Sequence, residues 1–311
     1  MVKNNNSQFL SAFYVSLAAS LWAFDGIIFR PFLYNLPVPL VVFIETSIVT
    51  ILLLPVIFKY KSTLRGLELK DWLSFLGVAL LGGAIGTMAI TKALFYVDFI
   101  NLSIVVFIQK LQPVFAITLA AILLKERLTM SFIIWSSNAI IGAYIVAFGF
   151  SLPLIGTGDK TLEASLFALL AAFSFGSSTV FSKRALKNVS FELGTYLRFS
   201  ITAIIMLIVV LLTASYQSVD IISESQILVF FLIAFSTGGP AILIYYYGLK
   251  KLKASVATIC ELMFPLTAVI LEYFFHGKIL SPIQWIGAIL MIISILKVSG
   301  INFYSFSKQN H

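Results

Sequence analysis

Ten apolar runs, each long enough to cross a bilayer, leave this chain few folds to choose from. They lie at about 9–29, 38–58, 72–91, 99–124, 131–150, 162–182, 192–213, 226–247, 254–275 and 282–300. A spanning helix needs about 20 such residues and a spanning barrel strand about 10. Lipid satisfies no backbone donor or acceptor, so runs of this length predict helices. Of the 311 residues 60% are hydrophobic and only 11% charged, and the mean hydropathy is +1.02. A soluble domain carries about 25% charged residues, so this chain cannot clothe itself in polar surface. The longest connection, about 59–71, has no room for a soluble domain, and function must reside inside the helical bundle. The first run holds Asp25 and no small-residue cleavage site follows it, so it reads as a span and not as a signal peptide.

A net charge of +8 suggests nucleic acid, but the basic residues sit in short clusters between apolar runs, which is the pattern of a membrane surface. With the N-terminus placed in the cytoplasm, fifteen of the 21 basic residues fall on the cytoplasmic side and four, Arg30, Lys92, Lys160 and Lys278, on the other. Lys110 and Arg198 fall within spans. This bias predicts ten spans with both termini in the cytoplasm. One cysteine and two histidines exclude a disulfide framework and point to no metal site. No phosphate-binding loop, nucleophile elbow or flavin fingerprint appears, so no cofactor is expected and ATP is not hydrolysed.

The two halves of the chain are weakly alike. An offset of 153 sets Ala18–Asp25 against Ala171–Ser178 and Glu45 against Arg198. An offset of 152 sets Gln109–Pro113 against Glu261–Pro265. Five spans per half is an odd number, so the second half must be inverted relative to the first. Inverted repeats place a transporter's site near midplane between the halves. The expected fold is an all-α membrane protein of ten transmembrane helices in two inverted five-helix repeats, residues 1–155 and 156–311.

Ten spans in two such repeats, with short loops and a proline in spans 4 and 9, resemble the drug/metabolite transporter superfamily of the EamA type. Leu21-Trp22-Ala23, Pro113-Val114-Phe115 and the Lys125-Glu126-Arg127-Leu128-Thr129 turn carry the resemblance, which covers nearly the whole chain. Two features depart from it: Glu45 stands where that family often has Arg, and Gly277-Lys278 where it usually has Gly-Glu. The resemblance implies a transporter of small organic solutes, often amino acids or other metabolites, commonly exported across the cytoplasmic membrane.

Ionisable groups inside spans are costly to insert and therefore mark candidate sites. Pro113 and Pro265 each free a carbonyl four residues back, on Gln109 and Glu261, and kink their helices. The expected solute site is built on these kinks from Lys110 and Glu261, with Gln109 and Gln112. Lys110 and Glu261 would form a pair that a zwitterionic solute opens. Their different spacing from the prolines turns one side chain about 100° from the other on an ideal helix. Asp25 has no partner three or four residues away. It reads equally as an interfacial carboxylate paired with Arg30 or as a protonatable group facing the cavity. Trp22, Tyr245 and Tyr246 are candidate contacts to solute, and Gly238-Gly239-Pro240 predicts a break in span 8 at Pro240. The glycines of span 3 (Gly77, Gly82, Gly83 and Gly86) read as a packing face. Glu45, Arg198 and Glu272 are left between gating and anchoring roles.

The expected function is secondary transport of an amino acid or related metabolite, as an exporter, by alternating access. The alternative is a membrane-embedded transferase acting on a lipid-linked substrate. The partners expected are a small solute and membrane lipid, with protons as the candidate coupling ion and a homodimer as the candidate assembly.

Overall fold

The computed structural model describes residues 2–96, 102–150, 160–277 and 281–300. The expected repeat boundary at 155/156 and Lys278 lie outside them. Among the described residues the secondary structure is helical throughout. Eight helices are long and apolar enough to cross a membrane: α1 (Ser7–Leu33), α3 (Leu69–Tyr96), α4 (Ile104–Leu123), α5 (Met130–Phe148), α6 (Thr161–Ala185), α7 (Phe191–Leu212), α8 (Glu224–Lys251) and α9 (Ala254–Phe275).

Two further apolar helices, α2 (Val38–Leu52) and α10 (Pro282–Val298), are shorter than the expected spans. At 1.5 Å per residue the 17 residues of α10 reach about 26 Å, against about 30 Å of hydrocarbon. The end of α2 has a local cause. Pro55 has no N–H to offer the preceding turn, so Leu54 N–H bonds Ile51 O and Val56 N–H bonds Leu53 O. The rod continues past this tightened turn as the short helix Pro55–Lys59. Polar side chains start α7 and α8: Ser190 Oγ accepts from Leu193 N–H at α7, and Ser223 and Gln226 close a capping box at α8.

The packing is symmetric between the halves. α1 packs on α8 and α9, and α6 packs on α3 and α4; α2 pairs with α7, and α5 with α10. Exchanging the first five helices for the second five leaves these partnerships unchanged. The glycines of α3 make its close approach possible: a Cβ on Gly82 would stand 2.1 Å from Ser178 Oγ on α6, and one on Gly83 2.0 Å from Thr202 Oγ1 on α7.

Three helices widen into π-turns, at Asp25–Phe29 in α1, Val78–Ile85 in α3 and Ala234–Gly238 in α8. In α8 the widened turn ends at Gly238, and the α-helix resumes at Gly239-Pro240. The expected break is therefore a widening within a continuous rod, since proline is tolerated in the first turn of the new segment. α4 and α9 are interrupted outright. α4 breaks at Lys110-Leu111 between Leu102–Gln109 and Gln112–Leu123; α9 breaks at Glu261-Leu262 between Ala254–Cys260 and Met263–His276.

Candidate functional site

The breaks in α4 and α9 carry the polar residues of the bundle interior. Gln109, Lys110, Gln112 and Glu261 are all less than 10% exposed. Each break spans two residues, and Lys110 and Glu261 each come first in theirs. The one-residue mismatch relative to the prolines is thus absorbed by the backbone, because α4 resumes one residue before Pro113 and α9 two residues before Pro265. The contacts across the halves are reciprocal. Lys110 of the first half places Nζ 3.7 Å from the ring centre of Phe264 in the second, and Gln112 of the first half donates from Nε2 to Glu261 Oε2 of the second.

Glu261 is well supplied with donors. Its Oε1 accepts from Tyr245 Oη at 2.7 Å and from Thr179 Oγ1 at 3.4 Å. Lys110 and Glu261 form no ion pair within 4 Å. A desolvated ammonium over an aromatic face gains about 2 kcal/mol, so Phe264 helps to hold Lys110 while Glu261 attracts it from beyond ion-pair distance. The expected pair therefore faces one space but does not close on itself.

That space is a cavity of about 580 Å³ at the centre of the bundle. Gln109, Lys110, Gln112, Glu261, Trp22, Tyr245, Asp25 and Pro265 line it. Pro113 and Pro240 shape the helices around it without lining it. Trp22 and Tyr245 meet with ring centres 5.2 Å apart at 57°, and Phe107, Phe175, Phe199 and Phe264 complete an aromatic wall. Tyr246 is a correction. It is fully buried behind that wall, with its hydroxyl bonded to Ser182 Oγ at 3.0 Å and to Arg198 Nη1 at 3.5 Å. Three adjacent tyrosines on a helix point in three directions, and of the pair 245 and 246 only the first faces inward.

A second polar centre in the same cavity belongs to α1 and α2. Arg30, expected outside the membrane, is instead a buried residue of α1. Its Nη2 lies 2.7 Å from Asp25 Oδ2 and 3.3 Å from Glu45 Oε2, and its Nη1 donates to Thr91 Oγ1 at 3.3 Å. The π-turn accounts for this. In an α-helix, residues five apart point about 140° from one another, but the bond from Arg30 N–H to Asp25 O closes a five-residue turn and brings them together. Asp25 thus pairs with Arg30 as one expected reading had it, but lines the cavity and does not lie at the interface. Glu45 joins it there. Sequence reasoning named Arg30 as a partner of Asp25 but placed the pair at the interface, because α-helical spacings set residues five apart on different faces; an acid and a base five apart beside Gly26 were the signal for the widened turn.

On sequence alone Arg198 is left between gating and anchoring roles. It stays within the bundle and donates to Gly82 O at 3.4 Å as well as to Tyr246. Glu272 also lines the cavity.

Comparison with known proteins gives this architecture a lineage. The model of the EamA-like transporter family matches twice, over residues 9–148 and 162–300. The chain is similar to a protein of Fusobacterium nucleatum subsp. nucleatum named riboflavin transporter ImpX, with 46% identity over 94% of this chain and 98% of that protein. It is 30% identical to the uncharacterized transporter YwfM of Bacillus subtilis, over 60% of each chain. One solved crystal structure, 17% identical, superposes with a TM-score of 0.72 over 95% of this chain and 96% of that one, which establishes a shared fold.

Proposed function

Because this chain belongs to the EamA-like transporter family, and is a multi-pass membrane transporter and not an enzyme, we propose that its solute is a flavin, riboflavin in the first instance. The 46% identity to a named riboflavin transporter, over nearly the full length of both chains, carries this reading. The chemistry of the cavity supports it. A ligand site of about 300–1,000 Å³ with mostly apolar walls and a few placed polar groups suits a small organic molecule, and 580 Å³ lies within that range. An isoalloxazine is planar, aromatic and uncharged, with an edge that alternates donors and acceptors. Trp22, Tyr245 and Phe264 offer faces to its rings, while Gln109, Gln112 and Lys110 offer partners to its edge. Thr46, Thr87, Thr202 and Thr237 also line the cavity; the first three donate to carbonyls of their own helices and leave oxygen acceptors for a polyol chain.

An amino acid was the expected substrate on the premise of a Lys110–Glu261 pair for the solute to open. Each of those groups has other company here, and riboflavin replaces the amino acid as the proposed solute. Transport proceeds by alternating access of the cavity to the two sides of the cytoplasmic membrane. The doubled family match and the exchange symmetry of the helix packing support two inverted repeats for that movement.

Purified protein in liposomes tests the substrate. Saturable riboflavin counterflow is expected, competed by unlabelled flavin and not by amino acids; exchange of amino acids without exchange of riboflavin would sink the reading. The same vesicles, loaded inside or outside, give the direction. Reporters fused after Lys61 and Lys187 are expected to read cytoplasmic and one after Asp220 external, and an external signal at Lys187 would remove the inverted arrangement.

A further inference from the structure

The centre on α1 and α2 has more negative charge than it can balance. Two carboxylates share one guanidinium. Asp25 Oδ2 takes two of its donors, Nη2 at 2.7 Å and Nε at 3.3 Å, whereas Glu45 Oε2 takes only Nη2, at 3.3 Å. Asp25 Oδ1 and Glu45 Oε1 are buried and have no hydrogen-bond partner. The Glu45 side chain is 10% exposed and lines the cavity. A buried acceptor without a donor is costly, and a charged one more so. One proton would supply a missing donor and bring the net charge of the three residues to zero.

Among the described residues no cation but Arg30 lies within ion-pair distance of these carboxylates. From α1 itself come Arg30 and the Tyr34 phenol; from α3 comes the Thr91 hydroxyl. From α9, which packs on the π-turn of α1, comes Glu272. The helix Glu224–Ile233 of α8 also packs there, but its acid Glu224 is exposed at its start, and the adjoining segment Ala234–Gly238 has no titratable residue. α7, the partner of α2, contributes Arg198, which is bonded to Gly82 O and Tyr246. Lys110 and Glu261 line the same cavity from α4 and α9, with Lys110 seated on Phe264.

We propose that Asp25, Arg30 and Glu45 form the coupling-ion site of the transporter and bind one proton, with Glu45 as the carrier. The proton adds to the Glu45 carboxylate from water in the open cavity. One O–H bond forms, and the Arg30–Glu45 ion pair becomes a contact between a cation and a neutral acid. Arg30 stays paired with Asp25. The Arg30–Glu45 pair ties α1 to α2, each of which also packs on α8. Protonation loosens the tie between them, and loss of the proton on the other side restores it. The inference rests on the transporter reading of the cavity but not on which solute fills it.

Two measurements test it. In liposomes with the membrane potential clamped at zero, a gradient of one pH unit should drive about tenfold riboflavin accumulation in the wild type, the ratio equivalent to one proton per neutral solute. Glu45→Gln removes the carrier and Asp25→Asn removes the surplus charge, so either variant should bring accumulation down to equilibration; Glu45→Asp should keep part of it. Coupled accumulation at the wild-type level in either neutral variant overturns the proposal, as does accumulation driven by a sodium gradient and not by a pH gradient. The second measurement needs no solute. Acidification of the wild type should add the infrared C=O stretch of a protonated carboxyl, lost in Glu45→Gln and kept in Glu261→Gln. The same band in wild type and Glu45→Gln overturns the proposal, whereas failure of riboflavin transport with the band present and Glu45-dependent overturns only the substrate.

Discussion

Two corners of the bundle occupy equivalent places in the two halves and hold opposite chemistry. At an offset of 153, Asp25, Arg30 and Glu45 of the first half correspond to Ser178, Lys183 and Arg198 of the second. The first corner is a buried ionic cluster with two carboxylate oxygens to spare. The second has only cations and a hydroxyl, and these are engaged by neutral groups: Lys183 Nζ donates to Leu249 O at 3.0 Å and Lys250 O at 2.9 Å, and Arg198 to Gly82 O and the Tyr246 hydroxyl. The backbones differ too. α1 has its π-turn at this place, whereas α6 is a regular α-helix from Thr161 to Ala185. The packing is therefore alike in the two halves, whereas the first corner holds the carboxylates proposed above to bind a proton and Lys183 of the second caps the end of α8. A protein that couples a gradient to a cargo needs such a difference, because two identical corners would respond alike.

The largest effect should come from Arg30→Ala. It strands two buried carboxylates, and breaking a buried pair in this way costs about 3–5 kcal/mol. Thermal unfolding in detergent should show a severe loss, with Asp25→Asn in the same background recovering part of it. A wild-type melting temperature for Arg30→Ala would mean that the first corner is solvated and no different in kind from the second.

Between the corners lies the proposed solute site, where Glu261→Gln and Lys110→Ala should each lower riboflavin flux about 10- to 100-fold with the protein still present in the membrane. A hydrogen bond to a charged group contributes about 1.5–3 kcal/mol, and each 1.4 kcal/mol is a factor of ten. Wild-type flux in both variants would move the site away from the α4 and α9 breaks.

A smaller effect is expected where the second corner is packed. Gly82→Val would push a side chain into Ser178, with Arg198 3.4 Å from the new Cβ; overpacking of this kind costs about 1–3 kcal/mol. Unfolding should be cooperative and shifted to lower temperature. An unshifted transition would show that α3 and α6 can move apart freely.

Lys183→Ala should matter least. Two neutral carbonyls at the end of α8 lose a donor, which costs about 0.5–1.5 kcal/mol. Coupling should survive intact, and if Lys183→Ala abolished proton-driven accumulation the contrast between the corners would fail.

The hydropathy of ten runs made the helical membrane fold legible, and the steady offset between halves made the duplication legible. Pro113 and Pro265 marked where α4 and α9 would open, and buried Lys110 and Glu261 beside them marked the cavity. These signals are local: a bilayer-length run, a missing N–H or a charge inside a span carries its cost wherever the chain packs. The lengths of α2 and α10 were less legible, since hydropathy does not register where a turn tightens. The tertiary structure decided three further things. It set the break in α9 one residue earlier relative to proline than the break in α4, which made Lys110 and Glu261 equivalent. It turned Tyr245 inward and Tyr246 away. It widened α1 at Asp25–Phe29, and so joined Asp25, Arg30 and Glu45. Each of these depends on backbone register and on partners far along the chain, and a side chain's direction inside a bundle is set by the helices that pack against it.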